Sequence, residues 1–104
     1  MFVRVAGPQA APELVEPEDC KKFHVAYGGD AASPPAVVAE ALGPWAAGAD
    51  ADHVWVRIDA LRNAASGRVG SDWPEQFDAM VGYARTKGWL NDSGDAIAAH
   101  VEYT

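Results

Sequence analysis

The sequence predicts a single α+β domain over residues 1–104, because strand-type and helix-type hydrophobic patterns both occur in a chain of ordinary domain length. Residues 2–6 and 22–27 alternate between apolar and polar side chains and are rich in strand-forming residues. From Ser33 onward, apolar residues recur at helical spacing in two segments. Apolar residues make up 49% of the chain, which at this length is enough for one core without a disulfide or a metal.

Two segments predict loops. Residues 7–20 contain three prolines and four acidic residues, which favours a long surface loop with room for one helical turn. Residues 46–52 are small or acidic and predict a flexible connection. We therefore expect an N-terminal part, residues 1–32, that holds two strands and the acidic loop, followed by a core of residues 33–104.

Start and stop signals divide the middle of the chain. Ser33 is followed by two prolines, which predicts a helix N-terminus, and Gly43 is followed by a proline, which predicts its end. Residues 53–58 are rich in β-branched side chains and predict a strand, although a helical register also fits them. Asp59 is expected to cap a short helix that runs to Ser66.

The most regular pattern lies in residues 71–104. Asp72 and Glu75 predict a capping box, and apolar residues then recur at helical spacing up to Gly88, which predicts a left-handed C-terminal cap. Residues 89–103 predict a β-hairpin around a polar turn. The predicted core face of its second strand consists of Ile97, Ala99, Val101 and Tyr103.

Three segments suggest a more specific architecture. Residues 56–61 lead a strand into a helix, residues 77–90 lead a helix into a strand, and residues 101–103 end the hairpin. This order of elements resembles the winged-helix fold, in which a β-wing follows a helix-turn-helix. The resemblance implies that the third helix enters the major groove of DNA and that the wing contacts phosphates. An open two-layer α+β sandwich is the alternative architecture.

The charge distribution argues against the DNA binding that this resemblance implies. The net charge is −7, which opposes binding to nucleic acid and to anionic membranes. Glu75 and Asp78 lie on the outward face of the predicted third helix, and Asp92 and Asp95 lie in the predicted wing. DNA recognition needs Arg or Lys at such positions. We therefore expect no nucleic acid and no membrane as a partner.

Other features bear on the cellular setting. A single cysteine excludes an internal disulfide. The sequence contains no apolar run near the roughly 20 residues that span a bilayer and no secretory signal pattern. These features predict a cytoplasmic protein, and the heavy use of Ala, Gly, Asp and Val favours a bacterial one.

The polar faces of the predicted strands suggest a binding surface. Six residues occupy these faces: His24, His53, Trp55, Arg57, His100 and Glu102. If the strands share one sheet, these side chains could bind a small molecule, or a metal through imidazole and carboxylate groups. A solvated sheet face is the more common origin of such a pattern, and we favour it. Since neither an HExxH motif nor paired cysteines occur, we predict no metal, no cofactor and no catalytic residue.

Gly82 is unusual because a glycine inside a helix costs about 1 kcal/mol relative to alanine. Together with Glu75, Ala79 and Thr86 it predicts an interface for the N-terminal strands or for a second subunit. A tolerated surface glycine explains the pattern equally well.

Cys20 precedes two lysines, which can activate a thiol, but an incidental surface cysteine is the interpretation that we favour.

The leading functional prediction is a noncatalytic protein-interaction or accessory module, with self-association as one form of it. Its support is the acidity of the chain, the helix strip of small residues Ala79, Gly82 and Thr86, and four tryptophans in a short chain. Aromatic residues are enriched at interfaces. The first alternative is a DNA-binding regulator of winged-helix type. The second is a small-ligand-binding protein or an enzyme that uses the histidine face.

Overall fold

The computed structural model describes residues 1–8 and 10–104, which form three α-helices, one short 3-10 helix and seven β-strands in two sheets. The elements in chain order are β1 Phe2–Val5, β2 Glu13–Val15, β3 His24–Tyr27, α1 Pro35–Leu42, the 3-10 helix Gly43–Trp45, β4 Ala46–Ala49, β5 Val54–Arg57, α2 Ile58–Ala65, α3 Trp73–Thr86, β6 Ala96–Ala99 and β7 Val101–Tyr103. The predicted α+β class is confirmed. Gln9, part of the predicted loop of residues 7–20, lies outside the described residues.

The first sheet has the strand order β2-β1-β3-β7. β3 runs parallel to both of its neighbours, with Val25 opposite Val3 on one side and opposite Val101 on the other. Val3 and Val25 are fully buried, because side chains alternate along a strand and the β-branched ones face the core. The polar side chains of β3 and β7 therefore share the opposite face.

The second sheet has the antiparallel order β4-β5-β6. Val54 and Val56 of the central strand are fully buried, whereas Trp55 is half-buried and Arg57 is exposed on the other face. α2 follows this strand directly and buries Ile58, Leu61 and Ala65, which recur at helical spacing.

α3 is anchored by aromatic packing. The rings of Trp73 and Phe77 are stacked with their centroids 4.6 Å apart, and Phe77 is fully buried. The indole Nε1–H of Trp73 donates a hydrogen bond to the carbonyl oxygen of Pro17 at 2.5 Å. Arg62 of α2 lies 4.9 Å above the Phe77 ring and pairs with Asp78 at 2.7 Å. These contacts fix α3 against the N-terminal part and against α2.

Both predicted loops contain a strand, so those predictions are corrected. β2 forms inside residues 7–20 because Leu14 pairs with Val3 and is buried, while Glu13 forms an ion pair with Arg4 on the neighbouring strand. β4 forms inside residues 46–52 because it extends the edge of β5 by backbone hydrogen bonds. Pairing with an existing strand overrides the low intrinsic strand preference of these segments.

The three predicted N-terminal caps are wrong, whereas the predicted end of α1 at Gly43 is confirmed. α1 begins at Pro35 with Pro34 at the cap position, so Ser33 lies one residue too early. Asp72 precedes α3, but its backbone is already helical, and within the described chain its side chain makes no capping hydrogen bond. Capping requires an extended backbone at that residue. Asp59 lies inside the first turn of α2, after Arg57 at the cap position.

The end of the chain departs most from prediction. The predicted left-handed Gly88 is confirmed, with φ of 76°. The first hairpin strand is reduced to a single bridge between Leu90 and Ile97. The second is broken at His100, because β6 pairs with β5 in one sheet and β7 pairs with β3 in the other. Tyr103, predicted as core, is 38% exposed. His100 therefore stands where the chain crosses between the sheets.

Candidate functional site

A cavity of about 670 Å³ lies beside this crossing, and we call it the histidine cavity. Its wall is formed by residues 21–24, His53, α3 and the segment from Trp89 to Glu102. The crossing from one sheet to the other brings together parts of the chain that are distant in sequence. The cavity is therefore a product of the topology and not of any local motif.

One part of the wall is a cluster of His24, His100 and Glu102. The Nε2 atom of His24 lies 2.8 Å from Oε2 of Glu102, and Nε2 of His100 lies 3.8 Å from the same oxygen. These side chains meet because parallel pairing of β3 with β7 puts them on the same face of the first sheet. The backbone N–H of Val25 also donates to the His100 carbonyl oxygen at 3.0 Å, which holds the two segments together.

The aromatic rings of this cluster form a stack. The His24 ring is stacked on Phe2 on one side, with centroids 4.9 Å apart and an interplanar angle of 12°. On the other side it is stacked on His100 at 5.6 Å and 27°. His24 is only 23% exposed, whereas the His100 side chain is 61% exposed. His100 is therefore the exposed end of a three-ring stack.

Burial determines the charge of His24. Burial lowers the pKa of His24 below its usual value, against the opposing attraction of the Glu102 carboxylate. The imidazole is consequently neutral at pH 7. Because a carboxylate is an acceptor only, the proton lies on Nε2, and this Nε2–H donates to Glu102. Glu102 thereby fixes the ring orientation and tautomer of His24.

His53 is positioned by the turn before β5. Oδ1 of Asp50 accepts hydrogen bonds from the backbone N–H groups of Asp52 at 2.9 Å and His53 at 2.7 Å. These two donors lower the pKa of Asp50 below its usual value. The same carboxylate lies 3.5 Å from Nδ1 of His53, whose ring borders the cavity. The turn is thus held together by one ionised carboxylate.

The opposite wall is aromatic and partly open to solvent. Tyr83 of α3 is 58% exposed and Trp89 is 46% exposed, and their rings meet edge to face at 5.9 Å. Met80 and Ala84 contribute apolar surface below them. The sequence did not identify Tyr83, and it placed Trp89 in the first strand of the predicted hairpin. The signal for Trp89 was its place directly after the left-handed Gly88, where the helix ends and both residues are exposed.

Of the six residues predicted for ligand binding, four line the cavity: His24, His53, His100 and Glu102. Trp55 and Arg57 are not among its lining residues, although Trp55 pairs with Ala98, which lines the cavity. Lys21 and Lys22 also line the cavity, and the sequence offered no signal for them beyond their proximity to His24.

The predicted interface residues form a separate surface, which we call the outer face of α3: Glu75, Ala79, Gly82 and Thr86. All four are exposed. A Cβ atom added to Gly82 would have no atom of the described residues within 4 Å. Neither N-terminal strand covers the glycine, so packing by a second subunit stays a prediction. Ala79 also borders a second cavity, of about 800 Å³, with Cys20, whose thiol pKa is raised by burial.

In residues 1–8 and 10–104, no group of three His, Cys, Asp or Glu side chains is arranged to hold a metal ion. None of the helices in this described part of the chain combines the length and the apolar character needed to cross a membrane.

Comparison of the chain with protein families, curated proteins and solved structures gave no significant match.

Proposed function

We propose that this protein binds a small organic molecule in the histidine cavity. The observation that carries the proposal is convergence, because His24, His53 and His100 come from distant segments and line one cavity. A solvated sheet face would not require such convergence. The cavity volume of about 670 Å³ lies within the roughly 300–1,000 Å³ that is common for ligand sites.

The chemistry of the wall also supports binding. Ligand sites combine apolar and aromatic surface with a few oriented polar groups. Here Trp89, Tyr83 and Met80 supply the first, and the His24–Glu102 pair supplies a polar group of fixed orientation. Tyr83 and Trp89 line this cavity, and they are the two most exposed large apolar side chains of the described residues. A bound ligand would remove their apolar surface from water.

The test uses the tryptophans as reporters, observed through their indole N–H signals in ¹⁵N-labelled protein. Of the four, only Trp89 is among the residues that line the histidine cavity, while Trp55 is half-buried in the second sheet. A fragment library of neutral, anionic and cationic compounds is screened by NMR. We expect hits to shift Trp89 and the imidazole signals of His24 and His100, with Trp55 unchanged.

Matched variants complete this test. Trp89→Leu should weaken binding of a hit about tenfold, since one lost aromatic contact contributes about 1.4 kcal/mol or more. Trp55→Leu makes the same chemical change outside the cavity and should leave the affinity unchanged. The proposal is wrong if no fragment binds more tightly than about 1 mM, or if hits shift Trp55 rather than Trp89.

A second candidate is the protein-interaction module predicted from the sequence, with the outer face of α3 as its surface. Its support is the exposed Gly82, whose small size has no explanation among the described residues. If a second copy packs there, Gly82→Leu should turn a dimer into a monomer in sedimentation velocity. Gly70→Leu, at another exposed glycine with open space around it, should leave the dimer intact. A monomeric parent protein would contradict self-association through this face.

The winged-helix resemblance is also retained as a proposal. Its support is that α1 precedes β5, that α2 and α3 follow it, and that β6 pairs antiparallel with β5 while bridging to Leu90. DNA binding is not part of the proposal, because the outer face of α3 holds Glu75 and lacks any basic residue. A gel-shift assay at low salt should therefore show no complex with duplex DNA.

A further inference from the structure

The histidine cavity is basic although the protein is acidic. The chain carries a net charge of −7, yet Lys21 and Lys22 line the cavity beside three histidines, of which the partly buried His24 is neutral. Glu102 is the one carboxylate among the described lining residues, and it is engaged with His24 at 2.8 Å and lies near His100 at 3.8 Å. Asp19, outside the lining, is attracted to both lysines, but within the lining two ammonium groups face one carboxylate, and this excess of positive charge favours an anionic ligand.

The cavity also offers two surfaces suited to a flat ring. His100 ends the stack that begins with Phe2 and His24, and its side chain is 61% exposed. Trp89 presents a half-exposed indole to the same cavity. Aromatic rings gain about 0.5–1.5 kcal/mol per pair beyond the area that they bury. A planar ligand would extend the existing stack and cover the indole.

From these two features we infer that the ligand is a planar aromatic carboxylate. Its ring packs against His100 and Trp89, and its carboxylate is bound by the ammonium groups of Lys21 and Lys22. This inference rests on the proposed function and names the ligand class. Hydrogen bonds from ammonium to carboxylate are charge-assisted and stronger than neutral ones, so the acid group should dominate the selectivity.

Three probes with one ring system and different charge test the inference. They are 2-naphthoate, 2-naphthamide and 2-naphthylmethylammonium, titrated separately into ¹⁵N-labelled protein at pH 7. We expect 2-naphthoate to bind about tenfold more tightly than the neutral amide and the cation to bind most weakly. The Trp89 indole signal should move with 2-naphthoate, and the Trp55 signal should not.

Charge variants assign the carboxylate contact. Lys21→Gln and Lys22→Gln should together weaken 2-naphthoate binding about tenfold without changing the affinity for 2-naphthamide. Glu102→Gln should strengthen 2-naphthoate binding, because it removes the negative charge of the cavity wall. Arg85→Gln removes one positive charge at an exposed position outside the cavity lining and should leave all three affinities unchanged.

The outcomes separate the two proposals. If 2-naphthamide binds as tightly as 2-naphthoate and still shifts Trp89, the cavity binds small molecules but the anion inference is wrong. Tightest binding of the cation also overturns the inference. Failure of all three probes to bind overturns it as well, and the wider fragment screen then decides the proposed function independently.

Discussion

The sequence predicted two sites on this protein, and they differ in how many elements of the fold contribute to each. The histidine cavity gathers side chains from β3, α3, the turn before β5 and the crossing from β6 to β7. The outer face of α3, with Glu75, Ala79, Gly82 and Thr86, belongs to one helix; Ala79 borders the second cavity, and the space around Gly82 is open among the described residues. α3 contributes to both surfaces, since Met80, Tyr83 and Ala84 line the cavity from its other side.

The difference shows what makes a face into a site. Periodicity places residues on a face of one element, but concavity arises only where several elements meet. The break of the last strand at His100 supplies that meeting, because β6 and β7 belong to different sheets. The outer face of α3 has the regular spacing, but none of the described residues covers Gly82 at its centre. In this chain the crossing between the two sheets produces a cavity lined by several elements, which regular spacing along one helix does not produce by itself.

The largest expected effect concerns Phe77, which anchors the helix that both surfaces share. Its ring is fully buried against Trp73 and beneath Arg62. Phe77→Ala should lower the free energy of unfolding by about 3–5 kcal/mol, through lost burial and a new cavity. Urea denaturation followed by circular dichroism measures the change.

Tyr83→Ala is the control, because it makes a similar truncation in the same helix at a side chain that is 58% exposed. It should cost less than about 1 kcal/mol, as expected for exposed positions. Equal losses for the two variants would mean that α3 is not anchored through its inner face. The two surfaces would then not share a fixed helix.

Local patterns predicted much of the secondary structure. The alternation in residues 2–6 and 22–27 corresponds to β1 and β3, and the spacing from Trp73 to Ala84 corresponds to the inner face of α3. β2 and β4 were missed because they are edge strands with little intrinsic preference, held by pairing with β1 and β5. Their formation depends on neighbours that a local pattern does not reveal.

The site was predicted only in part, for a related reason. The sequence placed His24, His100 and Glu102 on polar strand faces, and the parallel pairing of β3 with β7 brings them together. Nothing local predicted that pairing, since it joins segments at opposite ends of the chain. Trp89 was predicted as part of a hairpin strand, although a helix-terminating glycine precedes it and its side chain is 46% exposed. Long-range topology decides what lies opposite a given face.

The next effect tests whether the outer face of α3 is open. Gly82 has a helical backbone and free space around it among the described residues, so Gly82→Ala should stabilise the protein by about 1 kcal/mol. Gly88→Ala makes the same change six residues later, just past the end of α3, where φ is 76°. It should destabilise the protein by about 1–2 kcal/mol, because alanine is strained in the left-handed region.

Thermal and urea unfolding of both variants measure whether each substitution raises or lowers the free energy of unfolding. A loss of stability in Gly82→Ala would indicate that another molecule lies against the helix at that position. The outer face would then be a packed interface like the cavity wall, and the contrast between the two surfaces would disappear.

The smallest expected effect concerns the charge state of the histidine cavity. His24 has a lower pKa in the folded protein than in the unfolded chain, because its burial outweighs the attraction of Glu102, and His100 adds to the lowering. Between the lowered value and about 6.5, the usual histidine pKa, the unfolded chain binds a proton that the folded protein does not. The contribution of neutral His24 to the free energy of unfolding is therefore fully present above about pH 6.5, and it falls as the pH decreases through this window. The acidic groups with lowered pKa, Asp19 and Asp50, titrate below this range.

We therefore expect the free energy of unfolding to fall between about pH 7.5 and pH 5.5, and to fall less in His24→Gln. Glutamine keeps a side-chain N–H that can donate to Glu102 but does not titrate. His53→Gln also removes one imidazole from the cavity wall, yet it retains His24 and should keep the component that His24 contributes. Urea midpoints measured across this pH range distinguish the variants. If His24→Gln loses as much stability on acidification as the parent protein, then burial in the ring stack does not control the protonation of His24, and the cavity would be more positive at neutral pH than its geometry indicates.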